Sequence, residues 1–200
     1  MAVATNSYFE PDELAAYMKD PEYNANDQTA YISVCEAGCR AVDAWCGRGF
    51  YLDADVSPRA YVAPRYPVRF LVDDFATTTG LLVATDEDAT GTFETSWTIT
   101  TDFRVFPVNQ IGHTGETVAY YELVPTGQRS WPYSTYGLPT IQVTAKWGWP
   151  SVPPAVKRAA FILAANLDAL RGGPVTVDGN AMVQRLLQPY RRGDRVFGAA

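Results

Sequence analysis

Polar positions Ser33, Glu36, Arg40, Asp43 and Gly47 recur at steps of three and four, and the residues between them are largely apolar. That spacing draws one polar stripe along a helix and predicts an amphipathic helix over Thr29 to Cys46, with Asn26 or Asp27 available as its cap. Upstream, Pro11 followed by Asp12 and Glu13 predicts a short first helix with acids in its first turn, ending by Asp20-Pro21. From Tyr51 to Trp147 the texture changes to short β-rich runs. These are Arg59 to Val62, Val68 to Val72, Leu81 to Thr85, Phe93 to Thr100, Phe103 to Val108, Val118 to Val124 and Ile141 to Trp147. Turn formers such as Ser57-Pro58, Thr79-Gly80, Asp86 to Gly91 and Gly137 to Pro139 separate them.

The last of these runs is handed straight to a helix. In Trp147-Gly148-Trp149-Pro150-Ser151-Val152-Pro153-Pro154 the glycine and prolines stop a strand, and Pro153 and Pro154 pre-set the first turn of a helix running to Leu170 or Arg171. Ala159 to Ala165 leaves no polar stripe for two turns, so both sides of this helix need cover, and a second subunit is one source of it. Gly172-Gly173-Pro174 supply its stop. Asn180 to Tyr190 reads as a further short helix with Met182, Val183, Leu186 and Leu187 on one side, and Gly193 to Ala200 as a tail that is mobile unless a partner holds it. The expected fold class is α+β: an N-terminal helical part (1–50), a large antiparallel β insertion (51–147), a core helix (148–173) and a C-terminal arm (174–200).

Composition narrows the class. With 47% apolar and 13% aromatic residues in 200, the chain can bury a proper core. No apolar run is long enough for a bilayer and no apolar stretch follows a basic start, so a soluble, unexported chain is expected. The net charge of −6 hides an asymmetry: residues 51–147 hold 11 acids against 6 bases, whereas residues 148–200 hold 3 against 7. An acidic body argues against tight wrapping of nucleic acid. The odd number of cysteines, all between Cys35 and Cys46, does not make a secreted disulfide framework and points to folding in a reducing cytoplasm.

The chain offers little catalytic chemistry. Cys35, Cys39 and Cys46 fall within about 40° of one another on a helix wheel, which cannot close a metal tetrahedron, so they read as buried apolar side chains. His113 sits in a glycine-flanked turn with no G-x-S-x-G or thiol-protease signature to recruit it. Asp86 to Gly91 imitates half a calcium loop but has Trp97 where a bidentate Glu is needed, and reads as a solvated hairpin turn. Asp73 and Asp74 point to opposite faces if in a strand, and read as strand-end or turn acids. No phosphate-cradling glycine motif occurs. Trp131 to Tyr136 form either a stacking surface or a loop folded back over the sheet. No enzyme, cofactor or metal is expected.

Four segments together resemble the head-tail connector (adaptor, or head completion) proteins of long-tailed bacteriophages. They are Lys146-Trp147-Gly148-Trp149-Pro150 with the alanine-rich helix after it, Trp45-Cys46-Gly47-Arg48-Gly49-Phe50-Tyr51, Leu71-Val72-Asp73-Asp74 with Asp102-Phe103-Arg104, and Leu186-Leu187-Gln188-Pro189-Tyr190-Arg191-Arg192. The resemblance implies a virion neck protein, assembled in the host bacterial cytoplasm as a homo-oligomeric ring of about twelve copies under the portal. It further implies a downstream neck or tail-completion partner, and double-stranded DNA passing through the channel without specific binding. On that reading Trp147, Trp149, Phe161, Leu186, Leu187, Tyr190, Arg191 and Arg192 are expected at a subunit or portal interface, the last five as a docking arm. The alternative from the residues is a carbohydrate- or protein-binding β module on a helical base, working through the Trp131 to Tyr136 loop.

Overall fold

A computed structural model describes residues 6–24, 28–63, 65, 69–112, 115–169 and 176–192. The fold is α+β. Among the described residues it has four α-helices and seven antiparallel strands in two compact units, one of Met1–Tyr51 with Ser151–Gly193 and the other containing Leu52–Pro150. The expected caps Asn26 and Asp27, the stop at 172–174 and the tail 193–200 lie outside the described residues.

The helical unit contains α1 (Pro11–Met18), α2 (Thr29–Cys46), α3 (Pro154–Ala169) and α4 (Ala181–Leu187), with one-turn 3-10 helices at Val177–Gly179 and Gln188–Tyr190. Pro11 opens α1 after a capping box in which Glu10 and Glu13 exchange contacts with each other's backbone N–H, satisfying donors that a helix start leaves orphaned. Along α2 the buried positions Cys35, Gly38, Cys39, Val42 and Cys46 fall at helical spacing on the side opposite the polar stripe. Gly47, with φ +67°, ends it, a conformation that costs glycine nothing.

The uninterrupted apolar run of α3 is resolved within the chain. α2, α4 and α1 all pack on it, and Val156, Ala159, Ala160, Leu163 and Ala164 are buried. The α2–α3 crossing is tight because Gly38 meets two alanines. A Cβ on Gly38 would lie 2.9 Å from the Ala160 carbonyl oxygen and 3.0 Å from the Ala164 Cβ. Much of the cover that the sequence requires for this helix comes from its own chain: small residues let the neighbouring helices come close. Phe161, Ile162 and Ala165 stay half-buried.

The β unit has a four-stranded sheet in the order β1 (Ser57–Tyr61), β7 (Ile141–Ala145), β3 (Leu82–Thr85), β4 (Thr95–Trp97). A three-stranded sheet follows the order β2 (Phe70–Phe75), β6 (Tyr120–Pro125), β5 (Phe103–Phe106). Bridges between Phe75 and Trp147 and between Ile99 and Phe103 tie the two. Their facing side chains fill one core: Phe70, Val72, Phe75, Phe103 and Leu123 from the smaller sheet, Val83, Trp97, Ile141, Val143 and Ala145 from the larger, with Trp131 and Trp147. Burying each large side chain of this kind stabilises by about 1.5–3 kcal/mol. Ser57-Pro58, expected as a turn, instead opens β1; a proline is tolerated there because β1 is an edge strand.

Candidate assembly surfaces

The residues expected at an interface separate into covered and uncovered groups. Trp147 is 1% exposed: it packs edge-on to Phe75, its Nε1–H donates to the Ser57 carbonyl at 2.8 Å, and the Arg59 guanidinium lies 4.4 Å from its ring centre. Trp149 is 2% exposed and donates to Asp74 Oδ2 at 3.0 Å. Both indoles are buried with their N–H groups satisfied inside the chain. Phe161 is half-buried, stacked on Phe9 at 4.1 Å and Tyr17 at 5.4 Å between ring centres.

The C-terminal segment behaves likewise through Arg192. Asn180 caps α4 by accepting the Val183 N–H at 3.1 Å. Leu187 and Tyr190 are buried in the helical unit, Tyr190 edge-on to Phe50, and the Arg192 N–H donates to the Cys46 carbonyl at 2.9 Å. Leu187 and Tyr190 thus anchor the segment on its own helices. What faces outward is Met182, Arg185 and Arg191, with Leu186 and Arg192 half-exposed; the Arg191 guanidinium sits 5.1 Å over the Trp45 ring, whose N–H donates to Asp178.

A polar node fixes the N-terminal segment to this unit. The Tyr8 hydroxyl donates to Asp43 and accepts the Phe50 N–H at 2.9 Å, while Arg40 pairs with Asp43 at 2.8 Å and donates to the Asn6 carbonyl. Burial first, and the neighbouring carboxylate second, push the Tyr8 phenol far above its ordinary range. Burial also raises the Asp43 carboxyl, against the pull of Tyr8 and Arg40. The three thiols are buried, and desolvation pushes Cys35 and Cys46 up to about 12. They are protonated packing groups, as the sequence indicated.

In the β unit, Asp73 and Asp74 lie inside β2 rather than at a strand end or turn, and they diverge as adjacent strand residues must. Asp73 takes Arg59 at 2.8 Å and the Tyr61 hydroxyl at 2.9 Å; Asp74 is buried and takes Trp149. The 86–91 turn is solvated at Glu87, Asp88, Thr90 and Gly91, as expected, but Asp86 itself is buried, and its oxygens accept the Thr90 and Gly91 N–H groups at 3.1 and 2.7 Å. Burial opposes its ionisation, yet these N–H groups outweigh burial and hold its carboxyl below the usual range. Folding brings Glu94 beside Asp86 and Asp88, with carboxylate oxygens within 4.8 Å of one another, a convergence that the calcium-loop spacing does not anticipate. Trp131 is 2% exposed and stacks on Trp97 at 4.4 Å, so the aromatic loop is half folded back; Tyr133, Tyr136 and Leu138 remain exposed. His113 lies outside the described residues.

No family model matches the chain, and no curated protein matches it. Solved structures do. A chain from the neck of an empty gene transfer agent particle, computed with C6 symmetry, is 20% identical at a TM-score of 0.61, over 100% of this chain and 96% of that one. A chain from the virion of the native gene transfer agent particle is 22% identical at a TM-score of 0.61, with the same coverage. A third, from the neck of the native particle computed with C12 symmetry, is 20% identical at 0.58. The chain is similar in fold to a gene transfer agent neck chain. The likeness spans both units, so it takes in the β part as well as the helices.

Exposed apolar side chains that sequence reasoning missed include Leu52, Val56, Leu82, Val108 and Ile111. Only strand register and turn geometry reveal which face each occupies: Leu82 lies inside the apolar run Leu81-Leu82-Val83, whose alternate residue Val83 is buried.

Proposed function

We propose that this chain is a structural, non-catalytic component of the neck of a phage-like particle. It is one copy of a ring beneath the portal that joins the DNA-filled head to the tail. The observation that carries this reading is the full-length fold likeness to gene transfer agent neck chains, with 100% of this chain and 96% of the neck chain aligned. C6 and C12 symmetry describe those particles' necks and support a ring of related order here. The partners of the ring are the portal above and a downstream neck or tail-completion protein below. Double-stranded DNA passes through it, helped by a body in which residues 51–147 hold 11 acids against 6 bases, since carboxylates repel phosphate within about 8–10 Å at ordinary salt.

Portal docking on this reading uses the outward side of the C-terminal segment: Arg185, Leu186, Arg191 and Arg192, with Met182 beside them. Guanidinium forks suit an acidic partner surface. Truncation after Gly179 is a poor test, because it removes Leu187 and Tyr190 from the core of the helical unit. Charge reversal, Arg185→Glu with Arg191→Glu, leaves that core in place and is expected to yield full heads without tails. Electron microscopy of particles made with this variant, and of particles lacking the chain, provides the test. Tailed particles assembling normally without the chain would overturn the proposed function.

A further inference from the structure

The C-terminal segment of the helical unit carries an arginine that is exposed yet fixed at both ends. Its backbone is held on either side: Tyr190 is buried, and the Arg192 N–H donates to the Cys46 carbonyl at 2.9 Å. Its head group is held as well, the Arg191 guanidinium lying 5.1 Å from the centre of the Trp45 ring on α2. Trp45 is itself oriented from the far edge of the indole, whose N–H donates to Asp178 Oδ1 at 3.1 Å. Asp178 stands in the one-turn helix Val177–Gly179, which Val177 anchors by burial. The Gln184 side-chain amide of α4 donates to the Asp178 carbonyl at 3.0 Å and steadies that turn. Elements far apart in the chain therefore converge on one outward cation.

We infer that Trp45 is a positioning residue for portal docking, holding Arg191 ready to receive a carboxylate of the portal. The inference rests on the docking reading above and adds what gives that surface its selectivity. Arg191 is exposed, and among the described residues it forms no ion pair. An aromatic ring attracts a cation through its π face and supplies no oxygen acceptor, so the N–H donors of the guanidinium stay available to a partner. A carboxylate engages them bidentately, which requires the planar fork to be held in one orientation. A partner that must order a free arginine forfeits about 2- to 12-fold in affinity for that side chain. The Trp45 ring orders Arg191 beforehand, and Asp178 orders the ring. Charge alone at this position would attract an acidic surface; a fixed fork also selects where on that surface the carboxylate must lie.

The test is a double-mutant cycle on binding of the full-length chain to the purified portal of the same particle, read as Kd at fixed salt. Trp45→Leu is expected to weaken binding by about 2- to 12-fold. Trp45→Phe, which keeps a ring under the guanidinium, is expected to weaken it less, and so is Asp178→Ala, which leaves ring and guanidinium in place. Combined with Arg191→Ala, none of these changes is expected to weaken binding further, whereas a general loss of structure would do so with or without the arginine. Asp178→Ala carries the same cycle should Trp45→Leu lower the urea midpoint too far for measurement. Equal weakening in the presence and absence of the arginine would overturn the inference, as would unchanged binding by Arg191→Ala alone. Failure of the unmodified chain to bind the portal would overturn the docking reading itself, and this inference with it.

Discussion

The helical unit and the β unit hide their apolar surface in opposite ways. In the helical unit the most hydrophobic stretch of the chain, Ala159 to Ala165, is enclosed by its own neighbours: α2 approaches through Gly38, α4 lies alongside, and Phe9 and Tyr17 stack on Phe161. In the β unit the large aromatic side chains Trp97, Trp131 and Trp147 go inside, while the larger sheet leaves Leu82 exposed on its outer face. A long apolar run thus reports burial without reporting which chain supplies the cover.

Removing the β unit's central aromatic is the severest way to break this contrast. Trp147→Ala is expected to cost about 3–5 kcal/mol, seen as a lowered urea midpoint, because it deletes a buried indole together with its hydrogen bond to Ser57. In the helical unit, Gly38→Val is expected to cost about 1–3 kcal/mol by the same measurement, since the added atoms have no room between α2 and α3. A destabilisation below about 0.5 kcal/mol, the range of an ordinary surface change, would mean that the crossing relaxes easily and that the enclosure of α3 is looser than described.

Alkaline pH separates the units more gently. The thiols of Cys35 and Cys46 ionise at about 12 in the fold but at about 8.5 in an unfolded chain. Between those values the folded state holds the extra protons, so stability falls as pH rises. The urea midpoint is expected to decline above about pH 8.5, and Cys35→Ala with Cys46→Ala to flatten that decline. The smallest effect on stability, within about 0.5 kcal/mol, is expected from Leu82→Glu on the outer sheet face.

Local periodicity determined much of this protein. Steps of three and four drew α2 to its observed bounds, alternation and turn formers placed seven strands within a few residues of where they lie, and the packing role of the cysteines followed from their helical spacing. The divergence of Asp73 and Asp74 was fixed by strand geometry alone, although their place inside β2 was not. Tertiary structure decided what depends on partners distant in the chain. The order β1-β7-β3-β4 sets Pro58 beside Thr144 and leaves Leu82 exposed; the α2–α3 crossing covers the alanine helix; folding draws Glu94 to Asp86 and Asp88 and turns Trp147, Trp149, Leu187 and Tyr190 inward. Periodicity says which side of an element is buried, because that is a property of consecutive residues. It says nothing of what lies against that side, because the covering surface comes from elsewhere in the chain or from another molecule.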